Sequence, residues 1–147
     1  MVALVDASIL VALFDPDHAK HQIAHDWFED QQIVGWATCP LTENALVRIL
    51  SGPTFFDPPH RPADLVTRLR RFRQAGVHHF WPDSISLADS GIFEHSMIRG
   101  SKQVTDIYLL GLAKTMSGTL ATLDHSIPLA AVKGATKANL QIISSAD

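Results

Sequence analysis

Short continuous apolar runs alternate along this chain with longer segments whose apolar residues recur every three or four positions. The short runs have the character of buried strands and predict strands at 2–5, 34–39, 77–81, 119–123 and 140–143. The longer segments have the helical period and predict helices at 9–14, 18–32, 41–50, 62–74, 86–98 and 105–116. The pattern therefore predicts an alternation of strands and helices.

Such an alternation favours an α/β fold with a mostly parallel central sheet covered by helices on both faces, a three-layer α/β/α sandwich. With 147 residues and no internal repeat or linker, we expect one domain spanning 1–147. Ser8 and Thr105 are expected to cap the helices that they precede, while Gly91 interrupts the segment 86–98.

Four acidic residues lie at the margins of these apolar segments: Asp6, Glu43, Asp106 and Asp124. Asp6 and Asp124 directly follow the first and fourth predicted strands. Glu43 and Asp106 fall in the first turn of predicted helices, at an end that should point the same way. Because ligands of parallel α/β sheets bind beyond the carboxyl ends of the strands, we expect the four carboxylates to converge there.

The four carboxylates need a source of positive charge if they converge. No lysine or arginine lies within three residues of any of them, and Arg48 is the nearest to Glu43. Each acid alone has a structural explanation, either a favourable contact with a helix dipole or a turn position after a strand. Together they would repel one another, and oxygen ligands of this kind suit Mg²⁺ or Mn²⁺.

Composition limits the class of protein. Hydrophobic residues make up 46% and charged residues 18%, as in a globular protein. Cys39 is the only cysteine, which excludes an internal disulfide and a cysteine zinc site, and we expect it to be inert core. No apolar run approaches the roughly 20 residues of a membrane span, and no signal peptide is evident. These features predict a cytoplasmic protein with no membrane contact.

The net charge of the chain is −3, so a positively charged surface can only be a local one. Arginines crowd between 68 and 73, where Arg68 and Arg71 are candidate contacts for RNA or a protein partner, although a solvated helix also explains them. Arg48 and His125 are further candidates, because each is close in sequence to one of the acids. Phe55 and Phe56 are candidates for an exposed partner surface. His18, His21 and His25 share a helix face that is expected to be solvated.

The four acids lie in the motifs Val5-Asp6-Ala7-Ser8, Thr42-Glu43-Asn44-Ala45, Val104-Thr105-Asp106-Ile107-Tyr108 and Ala121-Thr122-Leu123-Asp124. In this order the motifs resemble those of PIN-domain ribonucleases, and most closely the VapC toxins of VapBC toxin–antitoxin systems. The stretch Phe80-Trp81-Pro82-Asp83 resembles a mycobacterial branch of these toxins. The resemblance extends over essentially the whole chain.

The resemblance implies an endoribonuclease that uses Mg²⁺ or Mn²⁺, with catalytic and metal-binding positions at Asp6, Glu43, Asp106 and Asp124. Asp6 and Asp106 are the expected direct metal ligands, while Asp124 and Glu43 orient water or bind a second ion. We expect supporting hydrogen bonds from Ser8, Asn44 and Thr105. It further implies a homodimer, a cognate VapB-like antitoxin, and a tRNA or rRNA substrate hydrolysed by a metal-activated water.

Other functions are compatible with parts of this pattern. A housekeeping nuclease of the same fold would share the four acids. A phosphatase or receiver domain would also use an acidic Mg²⁺ pocket, but Asp6-Ala7-Ser8 lacks the second acid of an Asp-x-Asp nucleophile motif, and no lysine occupies a strand end. A non-catalytic binding module would be favoured by loss of an acid, and none is lost.

Overall fold

The computed structural model of the chain describes residues 1–53 and 60–144. Phe55 and Phe56, predicted as a partner surface, lie outside these residues. The strands are β1 (Ala3–Val5), β2 (Trp36–Thr38), β3 (His78–Phe80), β4 (Thr119–Thr122) and β5 (Leu140–Ile142). The α-helices are α1 (Ala7–Phe14), α2 (His21–Val34), α3 (Pro40–Leu50), α4 (Pro62–Phe72) and α5 (Val104–Thr115). All five predicted strands are therefore present.

The five strands form one sheet in the order β3-β2-β1-β4-β5, with every neighbouring pair parallel. Alternate residues of β1 face opposite sides. Ala3 and Val5 pack among residues of α1 to α4, whereas Leu4 packs among residues of α5 and the segments around Phe93 and Val132. The predicted α/β/α sandwich is thus confirmed, and its sheet is wholly parallel in the described residues.

The strand order places a crevice at the centre of the sheet. From β1 the chain proceeds outward to β2 and β3 on one side, and β4 and β5 add on the other. The strand order therefore reverses between β1 and β4, which is the topological switch point where parallel sheets bind ligands. Asp6 follows β1 directly, and Asp124 follows β4 by two residues, so both acids lie at this point.

The helix predicted at 86–98 is wrong. This segment contains turns, a bridge from Phe93 to Val132 and a single 3₁₀ turn at His95–Met97. The Ser86 hydroxyl accepts from the Ala88 amide, and the Asp89 carboxylate accepts from the Gly91 amide. Such local side-chain bonds compete with a helix ladder, so the apolar period of the segment reflects burial of Phe93 and not a helix.

Two predicted helix caps are also wrong. Asp6 is the N-cap of α1, since its carboxylate accepts from the Ile9 amide at 3.0 Å, and Ser8 lies inside the helix. Thr105 lies inside α5, whose N-cap is Gln103 and has no side-chain cap bond. Helix α2 begins at His21 instead of position 18, after a turn in which His18 Nδ1 accepts from the Lys20 amide.

A close turn positions β3 beside β2. Gly76 has φ +55°, and a Cβ there would lie 2.3 Å from the Gln32 carbonyl oxygen. Only glycine fits this left-handed, crowded position between α4 and β3. No helix in the described part of the chain is long and apolar enough to cross a membrane.

Candidate functional site

Asp6 is the most deeply buried acid of the site, with 3% of its surface exposed. Its Oδ1 accepts from the Ser8 hydroxyl at 2.6 Å as well as from the Ile9 amide, and its Oδ2 accepts from the Thr122 hydroxyl at 2.5 Å. Burial nevertheless raises the pKa of Asp6, and the nearby Asp124 charge raises it further. The carboxylate is therefore held in one direction at an energetic cost.

Asp106 and Asp124 complete an acidic triad with Asp6. Burial raises the pKa of Asp106 to about 6, with further contributions from the Asp6 and Asp124 charges and from a hydrogen bond to Asp124. The pKa of Asp124 is lowered, chiefly because the Ser126 hydroxyl and amide donate to its Oδ1 at 2.7 and 2.8 Å. The three carboxylates are thus close enough to perturb one another, as their placement at the switch point predicted.

The acidic triad is not paired with lysine or arginine in the part of the chain that the structure describes. No lysine or arginine among residues 1–53 and 60–144 forms an ion pair with Asp6, Asp106 or Asp124. Clustered carboxylates in a partly buried crevice are unfavourable unless a cation joins them. Oxygen donors and a raised pKa fit a hard divalent ion, so these three residues could hold one.

Glu43 lies in a different environment. Its Oε2 accepts from the Thr38 hydroxyl at 2.6 Å, and its Oε1 lies 3.5 Å from the Arg73 guanidinium. The positive charge near Glu43 therefore comes from Arg73 at the end of α4, not from Arg48 as the sequence suggested. No hydrogen bond joins Glu43 to the acidic triad among the described residues, and its convergence with the other three acids stays a prediction.

Of the three predicted supporting residues, only Ser8 makes a hydrogen bond to one of the acids among the described residues. The Ser8 hydroxyl donates to Asp6 and accepts from the Leu123 amide at 3.3 Å, which ties the end of β1 to the end of β4. Asn44 and Thr105 are exposed, and neither side chain makes a hydrogen bond to an acid within the described parts of the chain. Their supporting role stays a prediction.

Two buried threonines were missed. Thr38 ends β2 and donates to Glu43, and Thr122 ends β4 and donates to Asp6. Both are fully buried, which requires a partner for each hydroxyl. Each is a polar residue at the end of an otherwise apolar strand and lies a few residues before a candidate acid. That pattern in the sequence could have identified them.

The predicted contact residues are mostly at the surface. Arg48 and His125 are exposed, and the His125 charge helps to lower the pKa of Asp124. Arg68 donates to the Phe14 carbonyl at 2.8 Å and lies over the Phe14 ring. Arg68 and Arg71 both line an open groove of about 410 Å³ between α1 and α4. Their contact with RNA or a partner stays a prediction.

A second group of metal-ligating side chains lies elsewhere. His25, Asp26 and Glu29 on α2 offer ligand atoms within 4.8 Å of one another, but all three are exposed. Exposed groups of this kind are common without an ion, and His25 belongs to the histidine face that is predicted to be solvated.

Cys39 is buried and its thiol pKa is raised to about 11, chiefly by that burial, as an inert core residue requires.

Comparisons with known proteins agree with this geometry. The PIN domain family model matches residues 3–133. Ribonuclease VapC44 of Mycobacterium tuberculosis is 41% identical over 140 residues, which cover 95% of this chain and 98% of that protein. Ribonuclease VapC39 of the same organism is 34% identical over 134 residues, covering 91% and 96%.

A solved structure shows the same fold. The crystal structure of Mycobacterium tuberculosis VapC20, a toxin that cleaves the sarcin–ricin loop, aligns with a TM-score of 0.59 at 12% identity and covers 84% of this chain and 89% of that one. PIN domains are metal-dependent nucleases that hydrolyse RNA. The resemblance found in the sequence is confirmed, and the chain belongs to the PIN domain family, among relatives that are VapC ribonucleases.

Proposed function

We propose that this chain is the toxin of a VapBC-type pair and hydrolyses RNA internally, using a divalent ion at the acidic triad. The observation that carries the proposal is the triad itself, in which three carboxylates at the switch point of a parallel sheet perturb one another's pKa and no lysine or arginine of the described residues forms an ion pair with them. The VapC relatives, which align over nearly the whole chain, support the same activity.

Asp6, Asp106 and Asp124 would hold the ion, and we propose Mg²⁺ or Mn²⁺ because all three donors are carboxylate oxygens. An ion bound there supplies Lewis-acid activation of water and neutralises charge that develops on the phosphate. Glu43, already engaged by Thr38 and Arg73, would act beside the ion and not as its main ligand.

The protein's own contribution is orientation. Ser8, Thr122 and the Ile9 amide fix Asp6, while Ser126 fixes Asp124. Asp106 interacts with Asp124, and burial together with the neighbouring carboxylates raises its pKa to about 6. A cation held there would favour the ionised form of the three carboxylates.

We further propose a structured substrate, a tRNA or rRNA loop, and neutralisation by a VapB-like antitoxin of what we expect to be a homodimer. The groove between α1 and α4 supports an antitoxin contact. Leu13, Phe14 and Phe72 give it apolar walls, and Arg68 and Arg71 add positive charge at its rim. An antitoxin segment that combines apolar and acidic residues would match both features.

The test is cleavage of total RNA by the purified protein with Mg²⁺, with Mn²⁺ or with EDTA, followed by mapping of the new ends. We expect discrete ends in one RNA class with either metal and none with EDTA. The Asp106→Asn protein, purified identically, controls for contaminating nucleases. Absence of metal-dependent ends across all RNA classes would overturn the proposed function.

A further inference from the structure

A chain of hydrogen bonds leads from the edge strand β3 to Glu43. His78 Nε2 lies 2.8 Å from Thr38 Oγ1, and Thr38 Oγ1 lies 2.6 Å from Glu43 Oε2. The three residues come from β3, β2 and α3, so the chain crosses from the edge of the sheet toward its centre. His78 belongs to none of the motifs that carry the family resemblance.

The direction of these bonds follows from the proton count. A carboxylate only accepts, so the single Thr38 hydroxyl proton is donated to Glu43. The same oxygen must then accept from His78, which requires a proton on His78 Nε2. A hydroxyl that is fully buried would otherwise lose one of its partners.

His78 is suited to this role because it is held neutral. Burial, together with the Arg73 and His79 charges, lowers its pKa to about 4. Its ring lies 4.5 Å from the Trp36 ring, which is itself buried. At neutral pH the imidazole is therefore a fixed donor of one tautomer and not a titrating group.

Glu43 is held from its other side by Arg73. The guanidinium lies 3.5 Å from Oε1 and 4.9 Å from the Phe80 ring centroid. Thr38 and Arg73 thus each contact one of the two Glu43 carboxylate oxygens. Each of these neighbours also contacts a side chain of β3, Thr38 that of His78 and Arg73 that of Phe80. A side chain as flexible as glutamate would not keep one orientation without them.

We propose that His78, acting through Thr38, is a positioning residue that sets the orientation of Glu43, the fourth acid of the candidate site. The proposal rests on the proposed function, because the orientation of Glu43 matters only if these acids carry RNA hydrolysis. A purely structural role for His78 would be seen in stability alone. A positioning role changes turnover and is restored by any side chain that supplies the same donor.

Variants of His78 test this distinction. His78→Ala should lower kcat roughly 10- to 100-fold, as loss of an orienting partner does, with KM for RNA unchanged. His78→Gln places an amide donor near the Nε2 position and should recover most of kcat. His79→Ala, at the exposed neighbour on the same strand, is the matched control and should cleave at the wild-type rate.

Variants of Thr38 test the middle of the chain. Thr38→Val keeps the shape and removes the hydroxyl, so it should resemble His78→Ala, whereas Thr38→Ser should retain activity. If folded His78→Ala and Thr38→Val proteins turn over at the wild-type rate while Glu43→Gln is impaired, the positioning role is wrong and the nuclease assignment stands. If Asp106→Asn also cleaves at the wild-type rate, the proposed function fails.

A spectroscopic readout is independent of activity. Long-range ¹H–¹⁵N correlation spectra of the wild-type protein at pH 7 should show His78 as the neutral tautomer protonated at Nε2. Thr38→Val removes the acceptor and should change that signature, whereas His79→Ala should not. An imidazolium, or a tautomer protonated at Nδ1, in the wild-type protein would overturn the proposal.

Discussion

Replacing Asp106 with asparagine should reduce the rate of RNA cleavage by roughly a thousandfold. Asparagine keeps the size of the side chain but removes an anionic ligand, and loss of about 4 kcal/mol of metal-assisted stabilisation corresponds to that factor. Single-turnover cleavage of a defined RNA substrate in Mg²⁺ measures the effect. Asp6→Asn should behave similarly, since its carboxylate also belongs to the acidic triad.

Asp106→Asn should also make the metal-free protein more stable, because it removes one of three mutually repelling carboxylates. Asp64→Asn is the matched control. Asp64 is also an acid in the first turn of a helix, α4, but it is exposed and far from the triad in sequence. It should leave cleavage unchanged and slightly lower stability through the helix dipole. An Asp106→Asn protein that cleaves normally would refute the assignment of the triad.

Metal should change the pH dependence of stability through Asp106. The pKa of Asp106 in the folded protein is about 6, against an ordinary value of 3.8, so the folded state binds more protons between these values. The Asp106 contribution to the stability of the metal-free protein should therefore rise as pH falls from 7 toward 4, while His78, whose pKa is lowered to about 4, makes an opposite contribution over the same range. After allowance for the part of the carboxyl that faces solvent, we expect a gain of roughly 1–2 kcal/mol.

Saturating Mg²⁺ should add stability at pH 7.5, by about 2.7 kcal/mol at a hundredfold excess over Kd, and this increment should shrink as pH falls through 6. Urea denaturation from pH 5 to 8, with and without Mg²⁺, measures both trends. Asp106→Asn should remove the Asp106 contribution, so the difference in metal-free stability between this variant and the wild type should change with pH by that amount. A metal increment that is the same at pH 5.5 and pH 7.5 would contradict a role for Asp106 as a ligand.

The sequence predicted the sheet well because its strands are buried on both faces. Continuous apolar runs such as 2–5 and 119–123 have few alternatives, and their alternation with helices implies parallel order. The segment 86–98 was misassigned because its apolar residues follow a helical spacing while Ser86 and Asp89 bond to nearby backbone amides. The spacing of the apolar residues indicates which side chains are buried, whereas the local hydrogen bonds of polar side chains determine the backbone conformation of this segment.

Part of the candidate site could also be predicted from the sequence. Asp6 and Asp124 follow strands that flank the switch point, so their proximity could be inferred from topology alone. The environment of Glu43 could not be predicted in this way. Arg73 contacts Glu43 directly and His78 contacts it through Thr38, and both are 30 or more residues away from Glu43 in the sequence. Long-range pairs of this kind leave no signal in local spacing.

The central claim is that the acidic triad binds the divalent ion, and Mn²⁺ can locate that site directly. Substoichiometric Mn²⁺ added to ¹⁵N-labelled protein broadens amide signals close to the ion. We predict that signals around Asp6, Asp106 and Asp124 broaden first and that Asp106→Asn suppresses the effect. Broadening centred on His25, Asp26 and Glu29, with the triad unaffected, would contradict the account.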